Sequence, residues 1–312
     1  MERFKVTSSP HIRDVDTVTR LMGDVILALL PATALAVYLY GLRALLLIGV
    51  TVLAAVATEA VCQRLRNRPV TINDLSAVVT GLLLALNLPA GAPLWMGVIG
   101  AIFAIFIVKQ VFGGLGENFM NPALAARVFL AVSYPKLMGQ YLDPATDALS
   151  AATPLALLKE GQLSDMPSML DSFLGTVSGS IGETSAAALL LGGLYLLFRK
   201  VITWEIPVLF IATVFAGTFL LYGFDVQVAL LAILSGGIFL GGFFMATDYA
   251  TSPIHFRGRV IFAIGAGILT VLIRRFGAYP EGVMFAILLM NAFTPAIEKL
   301  AAPRVFGTGG AK

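Results

Sequence analysis

Long apolar runs, separated by short polar loops, set the pattern of this chain. About ten of them stand out, at 21–40, 44–62, 75–88, 93–108, 123–134, 185–198, 206–222, 228–245, 260–273 and 282–297. An α-helix needs roughly 20 apolar residues to cross a hydrocarbon core of about 30 Å. The runs at 75–88 and 123–134 are short for a full crossing. Pro31 lies inside the first run and predicts a kink there. A more polar stretch, 135–184, divides the runs into five before it and five after it.

Composition turns these runs into membrane spans. Of 312 residues, 58% are hydrophobic and 12% are charged. A soluble domain carries about twice that charged fraction. The surplus apolar surface must face lipid. The expected fold is therefore an all-α integral membrane protein with about ten transmembrane helices. Net charge is +3 and spread along the chain, so no nucleic-acid partner is indicated. Cys62 stands alone, and reads as a small buried hydrophobe rather than a disulfide or metal ligand. The polar stretch 1–20 precedes no short apolar segment with a small-residue cleavage site. The first helix is expected to be the insertion signal.

Lys and Arg in short loops set orientation. Arg3, Lys5, Arg13 and Arg20 precede the first span, and Arg64, Arg66 and Arg68 follow the second. Lys109 follows the fourth, Arg199 and Lys200 the sixth, and Arg257 and Arg259 the eighth. With ten spans, all of these fall on one side, which should be cytoplasmic. The stretch 135–184 then lies outside. Arg43, Arg274 and Arg275 go against the pattern by falling outside too.

The two halves resemble each other. Thr80-Gly81-Leu82-Leu83-Leu84 leads to a break at Asn87-Leu88-Pro89, and Ser235-Gly236-Gly237-Ile238-Phe239 leads to one near Ala246-Thr247-Asp248. Phe112-Gly113 precedes Glu117 by the same spacing as Phe276-Gly277 precedes Glu281. Asn121-Pro122 has its counterpart in Asn291 with Thr294-Pro295. Five spans separate the copies, so the second would be inverted. The expected organisation is a first repeat at 1–134, an extracytoplasmic loop at 135–184 and a second repeat at 185–312. Such repeats place ligand sites where they meet.

Asp24, Glu59, Arg127 and Asn291 lie within or at the edges of spans. A charge in hydrocarbon is costly, so each should face a partner, water or the bundle interior. Asp24 and Glu59 are candidates for an ion path, or else satisfied interhelical pairs. Arg127, in the first turns of a short helix, reads as structural. Gly113-Gly114-Leu115-Gly116-Glu117-Asn118 follows no strand, which excludes a dinucleotide fold. Its glycines would still let backbone approach a flat ligand closely.

Within the loop, Thr153 taken alone reads as a turn residue or helix cap. Its context is more specific. Asp147-x-x-Ser150-Ala151-Ala152-Thr153 resembles the flavin-attachment pattern Asp-x-x-(Ser/Thr)-(Gly/Ala)-Ala-Thr. Nearly the whole chain resembles the D-subunit family of the Rnf electron-transport complex. That family is related to the B subunit of the sodium-translocating NADH:quinone reductase. The most specific matches are 150–155, 113–127, Phe243-Phe244-Met245-Ala246-Thr247-Asp248 and Asn291-Ala292-Phe293-Thr294-Pro295. Ala151 stands where glycine is usual, and Pro154 fits the membrane-subunit form of the pattern.

The resemblance implies FMN esterified through its phosphate to Thr153, with Ser150 and Asp147 as accessory residues. It also implies a non-covalent riboflavin between the repeats and a flavin transferase for maturation. The implied partners are a second flavin-bearing subunit, two small membrane subunits, an iron–sulfur subunit and an NADH-binding subunit. The implied setting is the inner membrane of a prokaryote, with ferredoxin:NAD oxidoreduction coupled to Na⁺ or H⁺ transport. If Arg274 and Arg275 lie outside, either could pair with the phosphodiester. A solute transporter of inverted-repeat fold and a subunit scaffold are the rival readings. Neither gives the Asp147 to Thr153 pattern a role.

Overall fold

The computed structural model describes residues 16–144, 149–150, 153–162, 166–183 and 185–303. Each apolar run is helical. The first helix, α1 (Val18–Leu65), absorbs two of them. Drawn straight, its 48 residues would span about 72 Å, more than twice the hydrocarbon thickness. Gly41 prevents this, with φ 62° and ψ −144°, a state open to a residue without Cβ. The chain turns back there. Met22 and Val25 of the first arm line the same cavity as Lys109, and Lys109 bonds Glu59 of the second arm. Pro31 lies within the first arm, and Gly41 is the residue of α1 that leaves helical geometry. A proline removes one backbone bond, which a membrane helix tolerates. A positive φ redirects the chain.

A 3₁₀ turn (Ile72–Asp74) leads to α2 (Ser76–Leu86) and α3 (Leu94–Ile102). A π-helical stretch (Phe103–Gln110) prolongs α3, and α4 (Pro122–Ser133) follows. The connecting region contains α5 (Pro135–Met138), β1 (Tyr141–Leu142), β2 (Leu149–Ser150), α6 (Pro154–Glu160) and α7 (Met169–Leu174). The two short strands are antiparallel, with Tyr141 opposite Ser150. Then come α8 (Ala186–Phe198), α9 (Glu205–Leu221), α10 (Val226–Leu234) and α11 (Ile238–Leu240), which runs into a π turn (Gly241–Met245). The last two are α12 (Phe256–Phe276) and α13 (Val283–Ala301).

Among the described residues, α1, α12 and α13 are each long and apolar enough to cross a membrane. The pair Val226–Leu234 and Ile238–Met245 forms a fourth such span, bent by 63°. The remaining apolar helices have 10–17 residues. Tyr38, Leu53, Leu191, Phe198 and Leu220 stand outward and bare, as a lipid-facing surface requires. Leu29, Leu84, Met96, Phe210 and Phe262 fill the interior.

Interrupted helices leave backbone groups that need partners at membrane depth. Side-chain amides provide them where the segments before and after the loop meet. The Asn121 N–H donates to Asn291 Oδ1 at 3.3 Å, and Asn121 Nδ2 donates to the Met245 carbonyl at 3.3 Å. Asn291 Nδ2 donates to the Thr251 carbonyl at 3.1 Å. Asn121 also caps α4, its Oδ1 accepting from the N–H groups of Ala123 and Leu124.

The bundle has two ends. Arg259, near the start of α12, bonds Thr203 Oγ1, and Arg274, near its finish, bonds the Ala232 carbonyl. Fifteen residues of helix part them, about 22 Å. The Arg274 end carries the 135–183 region and is called the loop end here. The opposite, far end gathers Arg66, Arg68, Lys109, Arg199 and Arg259.

Candidate functional site

Thr153 is buried and caps α6. Its Oγ1 accepts from the Ala156 N–H at 3.2 Å, and Pro154 takes the first helical position. The cap anchors the threonine between two cavities. One, of about 560 Å³ including its mouth, is walled by Met138, Tyr141, Tyr279, Pro280 and Met284 and bordered by Arg127 and Glu281. The other, of about 10 Å³ and so with room for a single water, is bordered by Val177, Ser178, Glu183, Ser235, Gly236 and Glu281. Lys159 ties α6 to the far wall, its Nζ donating to the carbonyls of Gly277 at 2.6 Å and Ala278 at 2.9 Å.

Four buried charges surround Thr153. Arg127 pairs directly with Glu281, lies 3.7 Å from Glu183 Oε1, and donates to Ser180 Oγ at 2.9 Å. Arg274 Nη1 donates to the Ala232 carbonyl at 2.7 Å and Nη2 to the Ser235 carbonyl at 3.3 Å. Gly236, at φ +73°, makes room for the arginine: a Cβ there would lie 2.5 Å from Leu155 Cδ1 and 3.1 Å from Arg274 Nη2. Glu183 Oε2, Ser235 Oγ and Arg274 Nε are buried without a hydrogen-bond partner among the described residues. Buried polar atoms are almost always satisfied. Glu183 and Ser235 border the smaller cavity, and Arg274 reaches Gly236 on its wall.

The sequence-predicted residues separate. Arg274 is buried at the loop end, close to the Thr153 cavities. Arg275 lies over the Tyr222 ring, 5.4 Å from its centroid. Ser150 is placed by its strand pairing to Tyr141. Asp147 lies outside the described residues.

Asp24 and Glu59 lie at the far end, away from Thr153. Asp24 Oδ1 accepts from the Tyr195 hydroxyl at 2.8 Å, and its Oδ2 accepts from Arg199 Nη2 at 3.3 Å. Glu59 Oε1 accepts from Lys109 Nζ and from Gln110 Nε2, both at 2.8 Å. Lys109 Nζ also donates to Ser76 Oγ at 2.6 Å. Both acids are held in satisfied interhelical pairs.

A further cavity, about 780 Å³ including its mouth, opens beside that cluster between the two halves. Phe243, Phe244, Lys109, Asn118, Asn121 and Asp248 are among its borders. Among the described residues, no cluster of His, Cys, Asp and Glu has metal-binding geometry.

Sequence reasoning missed Glu183, Ser235 and the role of Glu281. Their partners lie far along the chain, with Arg127 and Glu281 separated by 154 positions. One signal was available. A buried Arg127 inside an apolar run needs an acid, and few acids border apolar runs.

The lipid-facing exterior, the interrupted helices and the buried charged pairs define a multi-pass membrane protein. The family is equally plain. Residues 5–307 match the model of the NQR2, RnfD, RnfE family, and the chain belongs to it. One relative is the D subunit of the Na⁺-translocating ferredoxin:NAD⁺ oxidoreductase complex of Acetobacterium woodii, 54% identical over 97% of this chain and 95% of its own length. The D subunit of the proton-translocating ferredoxin:NAD⁺ oxidoreductase complex of Clostridium ljungdahlii is 45% identical over 98% of this chain and 96% of its own. The D subunit of the ion-translocating oxidoreductase complex of Stutzerimonas stutzeri is 43% identical over 93% and 92%.

Proposed function

We propose that this chain is the D-type membrane subunit of an ion-translocating ferredoxin:NAD oxidoreductase, carrying electrons through FMN bound covalently at Thr153. The Thr153 environment carries this reading. The Asp147 to Thr153 pattern ends on a threonine beside two cavities, and three unpartnered buried polar atoms lie next to it. A phosphodiester on Thr153 Oγ1 brings a negative charge and acceptor oxygens. Arg274 and Ser235 offer the matching cation and hydroxyl, while Arg275 is engaged with the Tyr222 ring. Tyr141, Tyr279 and the methionines Met138 and Met284 provide flat and polarisable walls for a ring. The bound flavin supplies one- and two-electron chemistry, while the protein holds it and tunes its potential.

Thr153 is only 6% exposed, so a flavin transferase must act before the segment settles. The cavity between the halves suits the second, non-covalent flavin, with Phe243 and Phe244 on one side and Lys109, Asn118 and Asp248 as polar contacts. The two five-helix halves are read as an inverted repeat, supported by the junction at which Asn121 meets its counterpart Asn291. On this reading the loop end faces the extracytoplasmic side, because the far end gathers most of the positive charge. Electrons then pass between partner subunits on either side of the membrane, coupled to Na⁺ or H⁺ movement.

Thr153→Val decides the matter. Denatured wild-type protein is expected to keep a band fluorescent under ultraviolet light, and the variant to lose it completely. An unlabelled wild-type band, in cells equipped to attach flavin, would leave a membrane subunit without this cofactor. A transporter or scaffold would show that result.

A further inference from the structure

The loop end holds an acidic group that the flavin attachment does not use. Glu183 and Glu281 both line the smaller Thr153 cavity, and both address Arg127. All three are buried, Arg127 at 2% exposure, Glu183 at 6% and Glu281 at 8%. Glu281 takes the direct ion pair. Glu183 stands back at 3.7 Å, with Oε2 unpartnered. One guanidinium therefore serves two carboxylates in a place with little water. Like charges that close cannot both stay ionised in such surroundings.

We propose that Glu183 and Glu281 share one exchangeable proton, and that this pair is the proton donor for the redox group seated against Thr153. The proposal rests on the flavin reading above. Reduction of a flavin bound there, by a one-electron donor such as an iron–sulfur protein, would add negative charge beside the pair. The carboxyl O–H bond would then break and its proton pass to the reduced flavin, leaving a carboxylate held by Arg127. Water then restores the proton through the larger cavity, whose rim includes the exposed Pro135 and Gly139.

The surrounding charges suit this cycle. Arg127 faces the pair from α4 and Arg274 from α12, while Tyr141 of β1 and Tyr40 of α1 add hydroxyls. A phosphodiester on Thr153 adds one more negative charge, and a proton held on the pair offsets it. Burial, and then the neighbouring Glu281 carboxylate, push the Glu183 carboxyl up to about 8. Both causes favour the protonated carboxyl over the carboxylate.

The test uses the intact purified complex in lipid nanodiscs. Reduced-minus-oxidised infrared spectra should contain a protonated-carboxyl band that shifts in D₂O and disappears in Glu183→Gln. In the same variant, the midpoint potential of the Thr153-bound flavin should lose its one-proton-per-electron dependence on pH. Glu183→Asp should restore both signals, which a purely structural role would not require. A flavin-loaded Glu183→Gln complex with the band and the pH slope unchanged overturns the proposal. If the wild type carries no flavin on Thr153, the functional reading fails separately. The shared proton is then tested alone, by titrating the carboxyl band with pH in Thr153→Val. A band absent there at neutral pH also overturns it.

Discussion

Two clusters of buried charge stand at opposite ends of this bundle, and they are built differently. At the far end, Glu59 meets Lys109, and Ser76 and Gln110 complete their bonds. None of these four keeps a buried side-chain atom unsatisfied. At the loop end, two arginines and two glutamates share one region, and Glu183 and Arg274 each keep an atom without a partner. Desolvating an ion costs several kcal/mol, which only complete pairing returns. The far cluster is a closed staple between helices. The loop cluster is left open, and open polar sites in a low-dielectric interior are where ligands and protons act.

The largest effect should come from breaking the closed cluster. Lys109→Met leaves the Glu59 carboxylate without its cation, and should cost about 3–5 kcal/mol. Reduced folded yield and earlier unfolding in mixed detergent would record it, and adding Glu59→Leu should restore most of the loss. If Lys109→Met alone unfolds like the wild type, the far cluster is not a staple. Glu183→Gln, in the open cluster, should leave unfolding almost unchanged because Arg127 keeps Glu281.

Gly236→Ala should have an intermediate effect. It combines a positive φ with a contact on Leu155 and Arg274, for a cost of about 1–3 kcal/mol. Its flavin content should fall more than its stability, as measured by fluorescence of the denatured band against folded yield. Equal falls in both would remove the special place given to Arg274. The smallest effect belongs to Arg275→Ala. It loses a cation–π contact with Tyr222 of about 0.5–1 kcal/mol and should keep its flavin. Loss of flavin in that variant would reverse the assignment of the two arginines.

Much of the fold was legible in the sequence, because lipid imposes a strong and repetitive demand. Apolar runs of span length have few other uses, and all are largely helical, although two share α1 and the run 228–245 is broken. The break in α1 was less legible. Pro31 carries the familiar signal for a bend, whereas Gly41 redirects the chain through a φ that glycine permits but does not announce. At the site, Thr153 stood out through a local pattern of seven residues, 147–153. The acids around it did not. Glu183, Glu281 and Arg127 come from three distant segments, and only the folded bundle brings them to one cavity. Asp24 and Glu59 attracted notice for being charged in apolar surroundings, which describes a satisfied pair as well as it describes a conduit.

Lys159 joins two pieces that the chain keeps far apart. A single ammonium grips two consecutive carbonyls in the turn before Glu281, and it does so from the helix that Thr153 begins. The threonine and the glutamate are thereby coupled like the two jaws of a hinge with one pin. A neighbouring protein that tugged on the loop would shift both jaws together, so docking at this surface would be felt as a change of shape and of electric field at once.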